Sequence, residues 1–491
     1  MSTEMALLLA PTLPLVGALL IVLTGEWPNL REGVTLATAT LTFLVVASLI
    51  PEVAAGARPG ATLIEMMPGL SLAFALEPLG MLFALIASFL WIVTSIYSIG
   101  YMRAHHEKNQ TRFYAYFAIA IAAALGVAFA GNMLTLFVCY EVLTLSTFPL
   151  VTHAGTDEAR RGGRVYLGVL LGTSIGLQLI AIVWTWAIAG TLDFREGGIL
   201  AGKADDVVTA ALLALYVFGT GKAAVMPFHR WLPAAMVAPT PVSALLHAVA
   251  VVKAGVFAIL KIAVYLFGID TIAALSQAVW LQYIAAATIL IASLVALTRD
   301  NLKARLAYST ISQLGYIVLG AMLANPLGIV GGGLHIVTHA FGKITLFFCA
   351  GAILVATHKT EVSQLRGIGR TMPWTMGAFA LASISMIGLP PTAGFVGKWY
   401  LLQASLEAEN WFAIVVLIAS TLLTAGYLLP IVYAAFFQAP IETDAHGSRG
   451  LREGPISSVA ALVLTAAGTI GLLFILELPF QLLERVVGSG S

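Results

Sequence analysis

The sequence predicts an all-α polytopic membrane protein of about fourteen transmembrane helices, and three observations carry that prediction. Hydrophobic residues make up 59% of the 491-residue chain and charged residues only 10%, where a soluble domain carries roughly a quarter. Apolar runs long enough to cross a hydrocarbon core of about 30 Å recur along the whole length. The hydrophilic stretches between them, the largest near 102–112, 153–164, 191–206, 357–372 and 438–455, are too short to fold as separate soluble domains.

In chain order the expected spans are 5–24, 33–55, 78–101, 113–130, 132–152, 164–190, 207–226, 240–267, 275–298, 304–324, 328–356, 375–404, 411–437 and 456–477. The first lacks a basic flank and a small-residue cleavage site, so it reads as a spanning helix and not a signal peptide. The third could start earlier, because 69–77 is also apolar. A net charge of +1 gives no reason to expect nucleic acid or a polybasic surface arm as a partner. Cys139 and Cys349 both lie inside apolar runs, with no CxxC or Cys/His cluster. No disulfide, metal site or bound cofactor is therefore expected.

Basic residues set the orientation. Loops after odd-numbered spans carry Arg31, Arg103, Lys108, Arg112, Arg160, Arg161, Arg164, Arg230, Arg299, Lys303, Arg305, Lys359, Arg366, Arg370, Arg449 and Arg452. The opposite side carries Arg58, Arg195, Lys203 and Arg485. The richer side is expected in the cytoplasm, which places both termini outside.

Spans seven and twelve are broken. The first runs into V-M-P-F-H-R-W-L-P-A-A-M-V-A-P-T-P (225–241), and the second contains I-G-L-P-P-T-A-G-F-V-G-K (387–398). Proline removes a backbone donor and clashes with the preceding turn. Unpaired backbone survives in a bilayer only when shielded by protein or facing a wet cavity. Matching breaks in two halves suggest inverted repeats, here 113–267 and 275–437, flanked by 1–112 and 438–491. Ordinary proline kinks are the plainer alternative.

Five lysines fall inside the spans: Lys222, Lys253, Lys261, Lys343 and Lys398. Glu141, His247, His335 and His339 join them. A charge at a helix centre costs about 2.5–3.5 kcal/mol even on the lenient insertion scale, so such groups should face one another or water. Buried lysine can release its proton, which arginine cannot, and histidine titrates near neutrality. The mixture suits a proton relay. Glu141 on span five should pair with Lys222 on span seven, as a switch or as a static structural pair. His247 and Lys253 lie six residues apart on somewhat different faces of span eight, so a water or a third side chain would have to link them. Lys261 should snorkel to the outer surface. His335, His339 and Lys343 follow an i, i+4, i+8 spacing on one stripe of span eleven. A metal site at the two histidines is the weaker reading, since no acidic or Cys ligand accompanies them. Lys398 lies about two turns beyond Pro390 and Pro391 and reads as the terminal proton-loading site. His229 and Trp231 read as fillers of irregular backbone.

The stretch P-F-H-R-W-L-P-A-A-M-V-A-P-T-P-V-S-A-L-L-H-A-V-A-V-V-K-A-G-V-F (227–257), with Y-E at 140–141, H-x-x-x-H-x-x-x-K at 335–343 and the lysine after L-P-P-x-x-G-F, carries a resemblance. The chain resembles, over nearly its whole length, the proton-translocating antiporter-like family shared by respiratory complex I, membrane-bound hydrogenases and Mrp-type cation/proton antiporters. The resemblance implies that Glu141 and Lys222 form a modulating pair. It makes Lys253, His335, His339 and Lys343 the central relay, and Lys398 the exit lysine. It also implies other membrane subunits as partners, protons and Na+ as cargo, and a bacterial inner membrane. G-F-V-G-K-W-Y-L-L (394–402) is similar to the smaller, D-type member of the Mrp antiporter subunits. Some complex I subunits of this type have glutamate at the position of Lys398. A pumping subunit of an NADH:quinone oxidoreductase or hydrogenase is the alternative, with the redox centres on other proteins.

Overall fold

The computed structural model describes residues 2–440 and 450–488; Arg449, placed above among the cytoplasmic charges, lies outside them. Among the described residues, twelve helices are long and apolar enough to cross a membrane by length and composition. The two remaining apolar helices, Asp206–Gly219 and Pro373–Ile387, are shorter, and both are first halves of the broken spans.

Helices α1 (Thr3–Leu23), α2 (Pro28–Ala47) and α3 (Ile50–Ala54) open the chain. A hairpin then follows, β1 (Gly60–Met67) pairing antiparallel with β2 (Leu70–Ala75). Hydropathy alone does not distinguish the apolar 69–77 from a helical extension. The alternation of Leu70, Leu72 and Phe74 with smaller residues is the strand signal. The helix proper, α4 (Pro78–Ala104), starts only where the Glu77 side chain caps it, accepting from the backbone of Leu79 and Gly80 with Pro78 in the first turn.

Next come α5 (Gln110–Phe129), α6 (Met133–Val151), α7 (Asp157–Thr173), α8 (Leu179–Ala189) and α9 (Asp206–Gly219). The hairpin is fastened to the start of α6: Ala73 N donates to Thr135 Oγ1 at 2.9 Å, and Asn132 Nδ2 donates to the Ser71 carbonyl at 2.8 Å. The rest comprises α10 (Trp231–Ala234), α11 (Thr240–Ala244), α12 (Val251–Ile262), α13 (Ile269–Ala274), α14 (Trp280–Thr298), α15 (Leu302–Leu323), α16 (Pro326–Thr357), α17 (Pro373–Ile387), α18 (Ala393–Glu407) and α19 (Trp411–Phe437). Helices Ile456–Gly471 and Glu477–Gly488 close it.

Three features go beyond the sequence reading. The seventh span ends at Gly219, not near 226, and a single 3₁₀ turn at Gly221–Ala223 puts Lys222 inside the break. One π-helical turn, Ser174–Gln178, interrupts the sixth span, and two, Leu245–Val249 and Ala263–Phe267, interrupt the eighth. Such turns often mark functional positions. The eighth span is also the innermost, its whole apolar window buried.

Gly255 explains how this helix reaches the break. A Cβ there would collide with the backbone of Lys222 and Ala223. Only glycine admits that approach, and it brings α12 against the segment bearing Lys222.

Candidate functional site

Lys222, Lys253, Lys261, Lys343, His247, His335 and His339 are all at most 2% exposed, and Lys398 is 9% exposed. Burial without partners would be prohibitive, so the partners of each define the site.

Lys222 Nζ donates to the Tyr140 carbonyl at 2.8 Å and to Thr144 Oγ1 at 2.5 Å, and lies over the Tyr140 ring. Its backbone N–H donates to the Tyr140 hydroxyl at 2.9 Å. The expected direct ion pair with Glu141 does not form. Tyr140 and Thr144 are i and i+4 on the inner face of α6, and Glu141 is turned roughly 100° from Tyr140 and roughly 60° from Thr144. It sits among Val138, Val142 and Leu145, which face outward. Both Glu141 carboxylate oxygens are buried without a hydrogen bond among the described residues. Trp231, read above as a filler, serves the break by donating from Nε1 to the Gly221 carbonyl at 2.9 Å.

The centre is a cross-helix contact. Lys253 Nζ on α12 is hydrogen-bonded to Nδ1 of His339 on α16. The rings of His339 and His335 follow at 5.9 Å between centroids. His335 Nε2 then lies 3.0 Å from Gln313 Oε1 on α15, and its ring stacks on Tyr316. Lys398 Nζ stands 5.0 Å from the centre of the Tyr316 ring and donates to the carbonyls of Met386 and Ile387 at 2.9 and 3.0 Å. Those carbonyls end α17, so the ammonium meets the negative end of a half-helix. Gly388, at φ +87°, turns the chain there, and a Cβ on it would strike the Lys398 stem at 2.7 Å.

Lys343 branches away from this line. Its Nζ donates to Ser309 Oγ at 2.8 Å; Ser309 lies 2.9 Å from the Tyr427 hydroxyl, and that hydroxyl 3.2 Å from Thr424. His247, carried on a π turn, packs against Phe347 at 4.6 Å, and neither ring nitrogen has a hydrogen bond among the described residues. His247 and Lys253 do not bond, in keeping with their different faces.

Lys261 corrects the snorkelling expectation. It is fully buried, 3.0 Å from Glu77 Oε1, and donates to the Ala130 carbonyl at 2.8 Å. The reason is the hairpin: it covers the end of α5 and brings the capping residue of α4 over the lysine, so the side chain has a carboxylate nearer than water. Glu77, Gln313, Tyr316, Ser309 and Thr144 were not singled out from sequence. Of these, only Glu77 had a signal, its acidic cap before a proline-started helix.

Among the described residues no three His, Cys, Asp or Glu side chains converge as a metal site. His335 and His339 turn to Gln313 and Lys253 respectively. The arrangement comprises two buried groups of proton donors and acceptors: Lys222 with Tyr140 and Thr144 of α6, and Lys253, His339, His335, Gln313, Tyr316 and Lys398 across α12, α16, α15 and α18.

Residues 130–424 match the family described as NADH:quinone oxidoreductase/Mrp antiporter, transmembrane region. Residues 67–114 match the N-terminus of complex I chain 5. NADH-quinone oxidoreductase subunit N of Desulforudis audaxviator is 33% identical over 82% of each chain. A probable K+/H+ antiporter component of Rhizobium meliloti is 32% identical over 76% of this chain, which spans 37% of that longer protein. A chain of the Mrp complex from Dietzia sp. superposes with a TM-score of 0.87, covering 99% of this chain and 98% of the other at 24% identity. That last likeness speaks for the fold.

Proposed function

The chain belongs to the NADH:quinone oxidoreductase/Mrp antiporter family of membrane proteins, and from that premise we propose that it is a proton-conducting subunit of a multi-subunit monovalent cation (Na+)/proton antiporter. In this reading protons pass along Lys222, Lys253, His339, His335 and Lys398, with Lys343 and His247 as side stores and Glu141 as the modulating charge. The observation that carries it is the Lys253–His339 contact, which places an ammonium and an imidazole together at the centre of the bundle. Each can hold or release a proton. Tyr316, stacked on His335 and 5.0 Å from Lys398 Nζ, supports the continuation towards Lys398, and Gln313 holds His335 beside it.

Glu141 acts on Lys222 across the helix surface and not through a bond. Its carboxylate is buried, but the exposed Val138, Val142 and Leu145 beside it support a neighbouring membrane protein of the same complex as the cover for that face. The repeats at 113–267 and 275–437, the cytoplasmic side of the basic loops and the bacterial inner membrane belong to the same proposal. The antiporter relative and the shared fold with an Mrp chain support this assembly. So does a lysine at position 398.

A second reading, a pumping subunit of a redox complex, is favoured by the 33% identity to an NADH-quinone oxidoreductase subunit over most of both chains. Both readings use the same relay. The test is proton movement in vesicles carrying the assembled complex, energised either by a Na+ gradient or by an electron donor. Na+-driven movement that is lost in Lys222→Ala and Glu141→Ala supports the antiporter. Movement driven by the electron donor alone replaces it with the redox reading, and undiminished movement in both variants removes the relay.

A further inference from the structure

A second charged cluster lies off the relay, on the side poor in basic loops. Lys261 and Glu77 form an ion pair 3.0 Å long, both at most 4% exposed. Glu77 Oε2 accepts from the Tyr265 hydroxyl at 3.3 Å. The Arg58 guanidinium lies over the Tyr265 ring, 5.4 Å from its centre, and Arg58 is paired with Glu196. Arg58, Glu196, Glu484, Arg485 and Pro78 line a cavity of about 500 Å³. Pro78 is the residue next to Glu77. The cavity wall thus reaches the buried pair by two short steps: Arg58 rests on the face of the Tyr265 ring, and the Tyr265 hydroxyl bonds Glu77.

The inner end of this cluster points at the relay. Lys253, Phe257 and Lys261 are spaced i, i+4, i+8 on α12, one stripe roughly 12 Å long. Phe257 lies between the two lysines, its ring 5.4 Å from Lys261 Nζ and packed against Phe83 at 5.0 Å.

We propose that the Glu77–Tyr265–Lys261 cluster is a second proton-exchange site, which opens the relay to the cavity and is closed from Lys253 by the Phe257 ring. The proposal rests on the relay reading above. In the outward step one N–H bond of the Lys261 ammonium breaks and the proton bonds to a Glu77 carboxylate oxygen. The Glu77 carboxyl, 4% exposed and next to the cavity-lining Pro78, then gives it to water that enters from the cavity and regains its negative charge. The neutral Lys261 amine recovers a proton from the Lys253 side when the Phe257 ring turns aside. The Tyr265 hydroxyl holds Glu77 in place, and Arg58 and Glu196 are the charges at the cavity end.

The plain alternative is that the pair only caps helices. Glu77 caps the start of α4, and Lys261 donates to the carbonyls of Ala128 and Ala130 at the end of α5. The two accounts separate in the double variant Glu77→Gln with Lys261→Met. Neutralising both members of a buried pair is often harmless to folding, and glutamine can still cap.

The experiment uses vesicles carrying the chain with its partner subunits. It measures energised proton movement, and also the passive leak under a potassium diffusion potential read by a pH dye. The double variant should assemble normally and move protons about a hundredfold more slowly. Phe257→Ala should raise the passive leak severalfold, and adding Lys261→Met should reverse it. Normal transport in the double variant, or an unchanged leak in Phe257→Ala, overturns the proposal. Lys222→Ala, run alongside, judges the relay by itself: loss there with normal transport in the double variant rejects only the second site. Normal transport in Lys222→Ala rejects the relay, while the Phe257 leak and its reversal still decide whether Lys261 exchanges protons with the cavity.

Discussion

Lys222 Nζ sits 2.5 Å from the Thr144 hydroxyl, and Thr144 is one helical turn from Glu141. The lysine is thus held by neutral oxygens while its expected counter-charge lies round the side of the same helix. Thr144→Val removes the hydroxyl without changing shape. It should cost about 1–3 kcal/mol of stability, because a buried donor loses a partner, and slow proton movement. Glu141→Gln should slow transport with little change in stability, because neither carboxylate oxygen is bonded. Thermal denaturation in detergent beside vesicle transport checks the contrast; equal stability losses would contradict it.

Gly255 is where α12 touches the broken seventh span. Gly255→Ala would force its new methyl into the backbone nitrogen of Ala223. Overpacking of this kind costs about 1–3 kcal/mol, and here it pushes directly on the backbone of Lys222. A lower melting temperature and slower transport are expected together. Wild-type values for both would mean that the close packing is dispensable.

Gln313 Oε1 lies 3.0 Å from His335 Nε2 and fixes that imidazole beside Tyr316. Gln313→Leu keeps the volume and removes the amide. Proton movement should fall at least severalfold, with full recovery in Gln313→Glu, which restores an oxygen acceptor. Transport that is indifferent to leucine would route protons elsewhere.

His153 gives a pH signature outside the spans. Burial lowers its proton affinity below the ordinary histidine value; Glu107, 3.8 Å away, opposes this and Arg112 adds to it. Its folded pKa is below the unfolded value of about 6.5. The stability it confers is therefore present above about that pH and is lost as pH falls towards the folded pKa, because the unfolded chain takes up a proton that the folded one refuses. The melting temperature should drop between about pH 7.5 and 5.5, and drop less in His153→Gln. Identical slopes would contradict the assignment.

The helical membrane fold, the two breaks and every buried lysine were legible in the sequence, because a bilayer makes apolar length and intramembrane charge conspicuous. Partnerships were less so. The i, i+4 spacing of His335 and His339 identified neighbours on α16, yet nothing local told that His339 would meet Lys253, since that contact depends on how α12 and α16 cross. Glu141 and Lys222 were matched by charge and by the family resemblance, but the rotation of α6 decides which residue faces inward, and that residue is Tyr140. Lys261 misled for a related reason: its depth suggested a surface end, and the hairpin that buries it reads as apolar sequence.

The most direct test of the relay keeps the positive charge and removes the ability to release a proton. Lys253→Arg does this, since arginine stays protonated under all ordinary conditions. In vesicles carrying the assembled complex, Lys253→Arg is predicted to move protons as poorly as Lys253→Ala while the chain assembles in normal amount. Wild-type proton movement in Lys253→Arg would show that Lys253 carries no proton and would contradict the account.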